Sequence, residues 1–261
     1  MSDAFEVLLD TAHRMANAAG KAILPHFRNL SATDSKSASG YDPVTAADRE
    51  AEEVMRAIVA TLFPDHGVIG EEFVAHNPGA DRTWLIDPID GTRSFIMGLP
   101  LWGTLVGFSE HARPIIGLLD QPYIGERFWN DRNASWFRGP AGLARCATRK
   151  CERLGDAVLA ATTPDMFSAD ETARFEALTA AVKMRRFGGD CYAYGMLALG
   201  QIDLVVEASL KTYDIAPLIP IIEKAGGVVT DWAGGDASRG GKVIACGDPQ
   251  LHKQVLAILN A

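Results

Sequence analysis

The sequence predicts a protein of mixed class, α+β over its first half and α/β over its second, with an antiparallel N-terminal sheet and a mixed C-terminal sheet. Three observations carry that prediction. Apolar residues recur at helical spacing near the N-terminus, short apolar runs broken by Gly, Pro, Asn and Asp fill the middle, and strand-length and helix-length segments alternate from about residue 155 onward. The change of rhythm near residues 140–155 divides the chain into an N-terminal unit, residues 1–145, and a C-terminal unit, residues 146–261.

Phe5, Leu8, Ala12, Met15, Ala19 and Ile23 fall on one helical face, so the spacing predicts an amphipathic helix from about Asp3 to Phe27. Residues 31–40 are small and polar, carry a single lysine, Lys36, and read as a loop able to cover a site. Asp42-Pro43-Val44-Thr45-Ala46-Ala47-Asp48 then leads into a second helix that runs to about Leu62 and stops at Phe63-Pro64; Asp48 falls in its first turn or caps it. Strands are predicted at Val68-Ile69, Trp84 to Ile86, Gly103 to Ser109, Pro114 to Leu119, Glu126 to Asn130 and Ser135 to Arg138, joined as a meander. Beyond residue 155 the order is strand Ala157 to Ala161, helix Ala169 to Val182, strand Met184 to Phe187, helix Cys191 to Leu199, strand Ile202 to Glu207, helix Ile215 to Ala225 and strand Gly227 to Thr230. A strand at Lys242 to Ala245 and a helix from Pro249 to Leu259 finish the half. Pro217 suits a first helical turn, whereas Pro220 should bend the helix that Asp214 opens.

A chain of 261 residues, 48% hydrophobic and 22% charged, can bury a full core and fold unaided. Its formal charge of −8 comes without a Lys/Arg run, which argues against nucleic acid as a partner. No uncharged apolar run reaches membrane-spanning length and the N-terminus carries no leader pattern, so no membrane partner and a cytoplasmic location are expected. Cys146, Cys151, Cys191 and Cys246 show no ligand spacing and are read as reduced structural thiols, and the six histidines as ordinary surface or core residues.

The chemistry gathers first at Trp84-Leu-Ile-Asp-Pro-Ile-Asp-Gly-Thr92. Asp87 and Asp90 stand where an apolar strand stops, Pro88 withholds a backbone donor between them, and Gly91-Thr92 can open a helix whose free amides attract an anion. Two carboxylates this close repel unless a cation lies between them, and oxygen ligands suit hard Mg²⁺; a polar turn with the acids capping amides is the alternative. Asp48, Glu71-Glu72 and Asp214 repeat the placement at strand ends or helix starts in separate segments, where a helix cap is the alternative for Glu71 or Asp214 alone.

Gly70-Glu71-Glu72, the Trp84–Thr92 segment, Tyr213-Asp-Ile-Ala with Glu223-Lys-Ala-Gly-Gly227, and the upstream Asp42–Asp48 segment together resemble, in order and spacing, the motifs of the inositol monophosphatase family of Mg²⁺-dependent, lithium-sensitive phosphatases. The resemblance covers essentially the whole chain. It implies a layered αβαβα sandwich, a homodimer, and two or three Mg²⁺ held by Glu71, Asp87, the Ile89 carbonyl, Asp90 and Asp214. Inhibition by Li⁺ is expected with it. It further implies that Thr92 and Asp48 accept the proton of the attacking water, Asp48 orienting the Thr92 hydroxyl, with Glu71 close by. The phosphate would rest on the amides of Gly91 and Thr92, and transfer would go directly to water. Lys36 lies near where the family places a mobile-loop lysine, with a spacing to Asp48 one residue longer than the pattern.

Within the family, Arg93-Ser-Phe-Ile-Met-Gly-Leu-Pro100 departs from the inositol type, and Arg186-Phe-Gly-Gly-Asp-Cys-Tyr-Ala-Tyr194 looks like the histidinol-phosphate phosphatase branch. Histidinol carries an ammonium and an imidazole, so its pocket should offer acids; Asp190 and Glu207 are the candidates, with Asp214 beside them. Asp190 could equally be an N-cap for the helix beginning at Cys191, and Arg186 could contact the substrate, reach an acid across a dimer interface, or be a surface cation. The substrate expected is L-histidinol phosphate, and the alternative is inositol 1-phosphate or a broader range of sugar phosphates.

Overall fold

The computed structural model describes residues 3–29, 34–35 and 43–261; Lys36 and most of the 31–40 loop lie outside the described residues. The chain runs through α1 (Asp3–Ile23), the short antiparallel pair β1 (Asp34–Ser35) and β2 (Pro43–Val44), α2 (Ala46–Leu62), β3 (Gly67–Gly70), β4 (Arg82–Asp90) and α3 (Thr92–Ile96). Strands β5 (Gly103–Glu110), β6 (Arg113–Gln121), β7 (Glu126–Asn130), β8 (Ser135–Gly139) and β9 (Gly142–Arg145) follow. The remainder comprises β10 (Val158–Ala161), α4 (Ala169–Thr179), β11 (Met184–Phe187), α5 (Asp190–Ala198), β12 (Leu204–Leu210), α6 (Thr212–Ile215), α7 (Leu218–Ala225), β13 (Val228–Asp231), β14 (Gly241–Cys246) and α8 (Pro249–Leu259).

Strands β3 to β9 form a seven-stranded sheet in chain order, antiparallel throughout except where β3 runs parallel to β4. The parallel pair arises because the link from β3 to β4 crosses back past the strand, with Val68 bridging to His76 on the way. The second sheet has the order β11-β10-β12-β14-β13 and is mixed: β10 is parallel to both neighbours, while β14 is antiparallel to β12 and β13.

Alternation of side chains along the central strands buries both faces of both sheets. Val106, Phe108, Leu118 and Trp129 pack under α1 and α2, while their neighbours Leu105, Leu119 and Phe128 face the opposite way, toward Tyr194, Leu197, Ile221 and Ile222 of α5 and α7. Val205, Val243 and Ala245 of the second sheet close that central core from the far side. Leu204, Val206, Ile244 and Cys246 turn outward onto Phe175 and Leu178 of α4 and Leu251, Val255 and Leu259 of α8. Helices, sheet, helices, sheet, helices is the αβαβα sandwich, with three apolar cores between the layers.

Several elements differ from expectation: α1 ends at Ile23 and α4 at Thr179, and β1, β2 and β9 are additional. Strand β4 does not stop at Ile86 but continues to Asp90, its register against β5 broken between Asp87 and Asp90. The helix expected from Ile215 to Ala225 is two helices, and the break falls at Pro217 rather than Pro220. Pro217 is the N-cap of α7, which puts Pro220 in the first turn, where a missing amide costs nothing. All four cysteines are buried and unpaired.

Candidate active site

The irregular end of β4 builds the centre of the site. Between Asp87 and Asp90 the chain leaves the ladder, and local bonds take over: the Ile89 amide donates to Asp87 Oδ1 (3.0 Å) and the Thr104 hydroxyl to the Pro88 carbonyl (2.7 Å). Gly91 then turns the chain at φ 88° and caps α3 without a side chain. A β-carbon there would lie 3.0 Å from the Asp190 carboxylate, so the position requires glycine for both conformation and room.

Asp214 reaches the same place from the first turn of α6, where it accepts the Lys211 amide at 2.7 Å. Cap and site residue are therefore one and the same. Oxygens of Asp87, Asp90 and Asp214 lie within 4.8 Å of one another. Glu71, in the bend after β3, sits beside Asp87. Burial, then the charges of Glu71, Asp90 and Asp214, push the Asp87 carboxyl well above the ordinary carboxylate range. Burial, Asp214 and Asp190 do the same to Asp90. Burial leads again at Asp214, pushed up to about 7, with Glu71 and Glu207 adding to it against the Lys211 amide. An all-oxygen set of mutually repelling buried acids is what a hard divalent cation relieves, so the residues fit Mg²⁺.

Asp90 also ties the two halves of the chain together, since its Oδ2 accepts the Cys191 amide at 2.6 Å at the start of α5. The N-cap reading of Asp190 is corrected by this: Gly189 occupies the cap position with no side-chain bond, Asp190 is the first helical residue, and the carboxylate that satisfies the free Cys191 amide comes from Asp90. Asp190 instead holds φ 45°, uncommon for a residue with a β-carbon, and accepts the Ser94 hydroxyl at 2.6 Å. Burial raises its carboxyl, opposed by Ser94, Arg93 and Thr162.

A cavity of about 320 Å³ opens above the cluster, lined by Asp90, Gly91, Thr92, Arg93, Asp190 and Glu207 among others. The segment after β10 contributes Thr162, Asp165 and Met166 to the lining, which also includes Tyr194, Asp214 and Leu218. Glu207 is 2% exposed and held by the Thr162 amide (2.7 Å) and the Tyr194 hydroxyl (2.8 Å), and burial raises its carboxyl.

The remaining expected residues lie as follows. Asp48 is fully buried in the first turn of α2, where its Oδ2 accepts the Thr45 amide (2.8 Å) and hydroxyl (2.6 Å) in a capping box. The Thr92 hydroxyl donates to the Ile89 carbonyl at 3.2 Å. Arg186 is exposed on the outer strand β11 and is not among the residues that line the cavity. Arg93 is the one cation among the described lining residues. Sequence reading passed over Arg93, Asp165, Thr162 and the Ser94–Asp190 bond. None of these carries a local signal, unlike the Thr45–Asp48 capping box, which the Thr-x-x-Asp spacing marks.

The inositol monophosphatase family model matches residues 5–261. The bifunctional phosphatase IMPL2, chloroplastic, of Arabidopsis thaliana is 40% identical over 257 residues, covering 94% of this chain and 73% of the relative. The histidinol-phosphatase of Streptomyces coelicolor is 34% identical over 263 residues, covering 97% of this chain and 96% of the relative. Among solved structures, an inositol monophosphatase from Zymomonas mobilis superposes with a TM-score of 0.89 at 40% identity, covering 99% of each chain.

Proposed function

The chain belongs to the inositol monophosphatase family and is a metal-dependent phosphomonoesterase, and from that premise we propose that it hydrolyses L-histidinol phosphate to histidinol and phosphate, a step of histidine biosynthesis. The observation that carries the substrate is the cavity wall: Asp165, Asp190 and Glu207 surround the space next to the triad, with Arg93 the one cation among the described lining residues. A leaving group with an ammonium and an imidazole matches that wall. Each charge-assisted bond to it contributes roughly 1.5–3 kcal/mol. The histidinol-phosphatase of Streptomyces coelicolor supports the same reading.

Uncatalysed hydrolysis of a phosphate monoester is so slow that the enzyme must remove roughly 20 kcal/mol of barrier. Glu71, Asp87, the Ile89 carbonyl, Asp90 and Asp214 would hold two or three Mg²⁺. Bound there, the ions supply charge that steadies the phosphoryl oxygens and acidify water at neutral pH. The Gly91 and Thr92 amides orient the phosphate. We assign the proton given up by the attacking water to Thr92, with Asp48 behind it. That role requires the Thr92 hydroxyl, which donates to the Ile89 carbonyl at 3.2 Å, to turn toward the water. Asp190 and Glu207 hold the leaving group. Membership of the family supports a homodimer and inhibition by Li⁺ as further parts of this reading.

A second reading, an inositol 1-phosphate or broader sugar phosphatase, is favoured by the likeness to the inositol monophosphatase from Zymomonas mobilis. Phosphate release from histidinol phosphate, inositol 1-phosphate, fructose 1,6-bisphosphate and adenosine 3′,5′-bisphosphate, with Mg²⁺ and with chelator, separates the two. The highest kcat/KM is expected for histidinol phosphate, and Asp190→Asn should reduce its preference over inositol 1-phosphate about tenfold to a hundredfold. Better turnover of inositol 1-phosphate sinks the substrate assignment. Activity that persists in chelator sinks the metal chemistry.

A further inference from the structure

We propose that Glu52 is a positioning residue for Glu71, an inference that rests on the metal-dependent reading above. Glu52 lies on α2 one turn after Asp48, and it is fully buried. A carboxylate removed from water is costly unless its oxygens are bonded, so the partners of this one reveal what its burial serves. Oε2 accepts the Glu72 amide at 2.7 Å, and Oε1 accepts the Phe73 amide at 3.3 Å and Arg56 Nε at 2.7 Å. Arg56 in turn donates to the Phe73 carbonyl at 3.1 Å. The two side chains clamp the backbone immediately after Glu71.

The clamp also closes on the residue before it. A β-carbon on Gly70 would lie 2.3 Å from Glu52 Oε1, a distance no real side chain tolerates, so Gly70 is glycine because the carboxylate needs that space. Residues 71–73 form a bend outside the β-ladder, and there the Glu52 bonds do what strand pairing does elsewhere. Glu71 itself faces Asp87, whose carboxyl it perturbs by charge and by hydrogen bond. One face of α2 therefore sets Asp48 directly and Glu71 through Glu52. Both Glu52 oxygens are taken up by these donors, so it acts on the site through Glu71.

Glutamine at this position keeps size and burial but offers one acceptor oxygen, and its amide nitrogen must face an N–H donor. The test compares wild type, Glu52→Gln and Met55→Ala, the last emptying a buried core position on the same helix that makes none of these bonds. Mg²⁺ affinity is measured by calorimetry, Mg²⁺ activation and kcat by phosphate release, and stability by Tm. Glu52→Gln should weaken Mg²⁺ binding about tenfold or more while kcat at saturating Mg²⁺ stays within about threefold, as expected when a group supporting a metal ligand is lost. Met55→Ala should lower Tm with Mg²⁺ affinity unchanged. Glu52→Gln with lowered Tm and wild-type Mg²⁺ affinity overturns the proposal, as does an equal loss of affinity in Met55→Ala. A wild-type protein that neither binds Mg²⁺ nor releases phosphate overturns instead the reading on which the proposal rests.

Discussion

Asp90 reconciles two demands. One oxygen anchors the Cys191 amide at the start of α5, and the carboxylate shares a crowded, buried space with Asp87 and Asp214. Asparagine can keep the amide anchor with its carbonyl oxygen while losing the charge that a divalent cation needs. Asp90→Asn should therefore fold, and in chelator it should be at least as stable as wild type because a repulsive charge is gone. Its turnover with Mg²⁺ should fall at least about a hundredfold, since a charge lost from a metal clamp costs several kcal/mol. Phosphate release and Tm with and without chelator check both halves; turnover near wild type contradicts the role assigned to Asp90.

The elements that bring Asp214 to Asp87 and Asp90 meet on a pair of glycines. Gly107 of β5 and Gly117 of β6 are direct cross-strand partners. Together they leave a bare patch on the sheet. Pro217, at the break between α6 and α7, seats there: a β-carbon on Gly117 would lie 1.8 Å from the Pro217 carbonyl oxygen, and one on Gly107 3.0 Å from the Pro217 ring. The proline that interrupts the helix is thus also the one that fixes how closely α6 approaches the sheet. Gly117→Ala must push that segment outward, with a cost of about 1–3 kcal/mol as for other overpacked sites. A fall in Tm and a loss of turnover larger than that of Gly125→Ala is the expected outcome, because a β-carbon on Gly125 meets nothing, although its φ of 74° adds some strain. Unchanged turnover in Gly117→Ala would show that Asp214 does not depend on this seat.

At the scale of the whole molecule, stability and metal binding are coupled through the buried acids. An unfolded aspartate ionises near pH 4. Asp214 in the folded chain is raised to about 7, mainly by burial, with Glu71 and Glu207 adding to the shift and Lys211 opposing it. Between these two values the folded chain retains a proton that the unfolded chain has released. Its contribution is therefore fully present below about pH 4 and lost as pH rises through about 7. A divalent cation needs the ionised form, so its affinity rises over the same window. The Tm of chelated wild type should fall from pH 5 to pH 8 more steeply than that of Asp214→Asn, and the Mg²⁺-induced rise in Tm should grow with pH. A chelated wild type whose Tm has the same pH slope as Asp214→Asn would contradict this linkage.

The sequence by itself determined the elements and the chemistry. Helical periodicity in α1 and α2, apolar runs bounded by turn residues in β4 to β8, and the acids at strand ends are local patterns, because burial and backbone conformation act over a few neighbouring residues. The parallel pairing of β3 with β4, the helix break at Pro217 and the bond between Ser94 and Asp190 were not legible, since each depends on what lies opposite in space. Ser94 and Asp190 stand 96 residues apart, and nothing in either neighbourhood marks the other. Arg186 adjoins Asp190 in the motif, yet β11 is an edge strand whose residues 184–186 are all exposed, on both of its faces. Glu52 was one acid among several on a helix until folding set it against the Glu71 bend. Which carboxylates converge, and which merely support those that do, only the tertiary structure decided, because a charge acquires its role from the groups that surround it after burial.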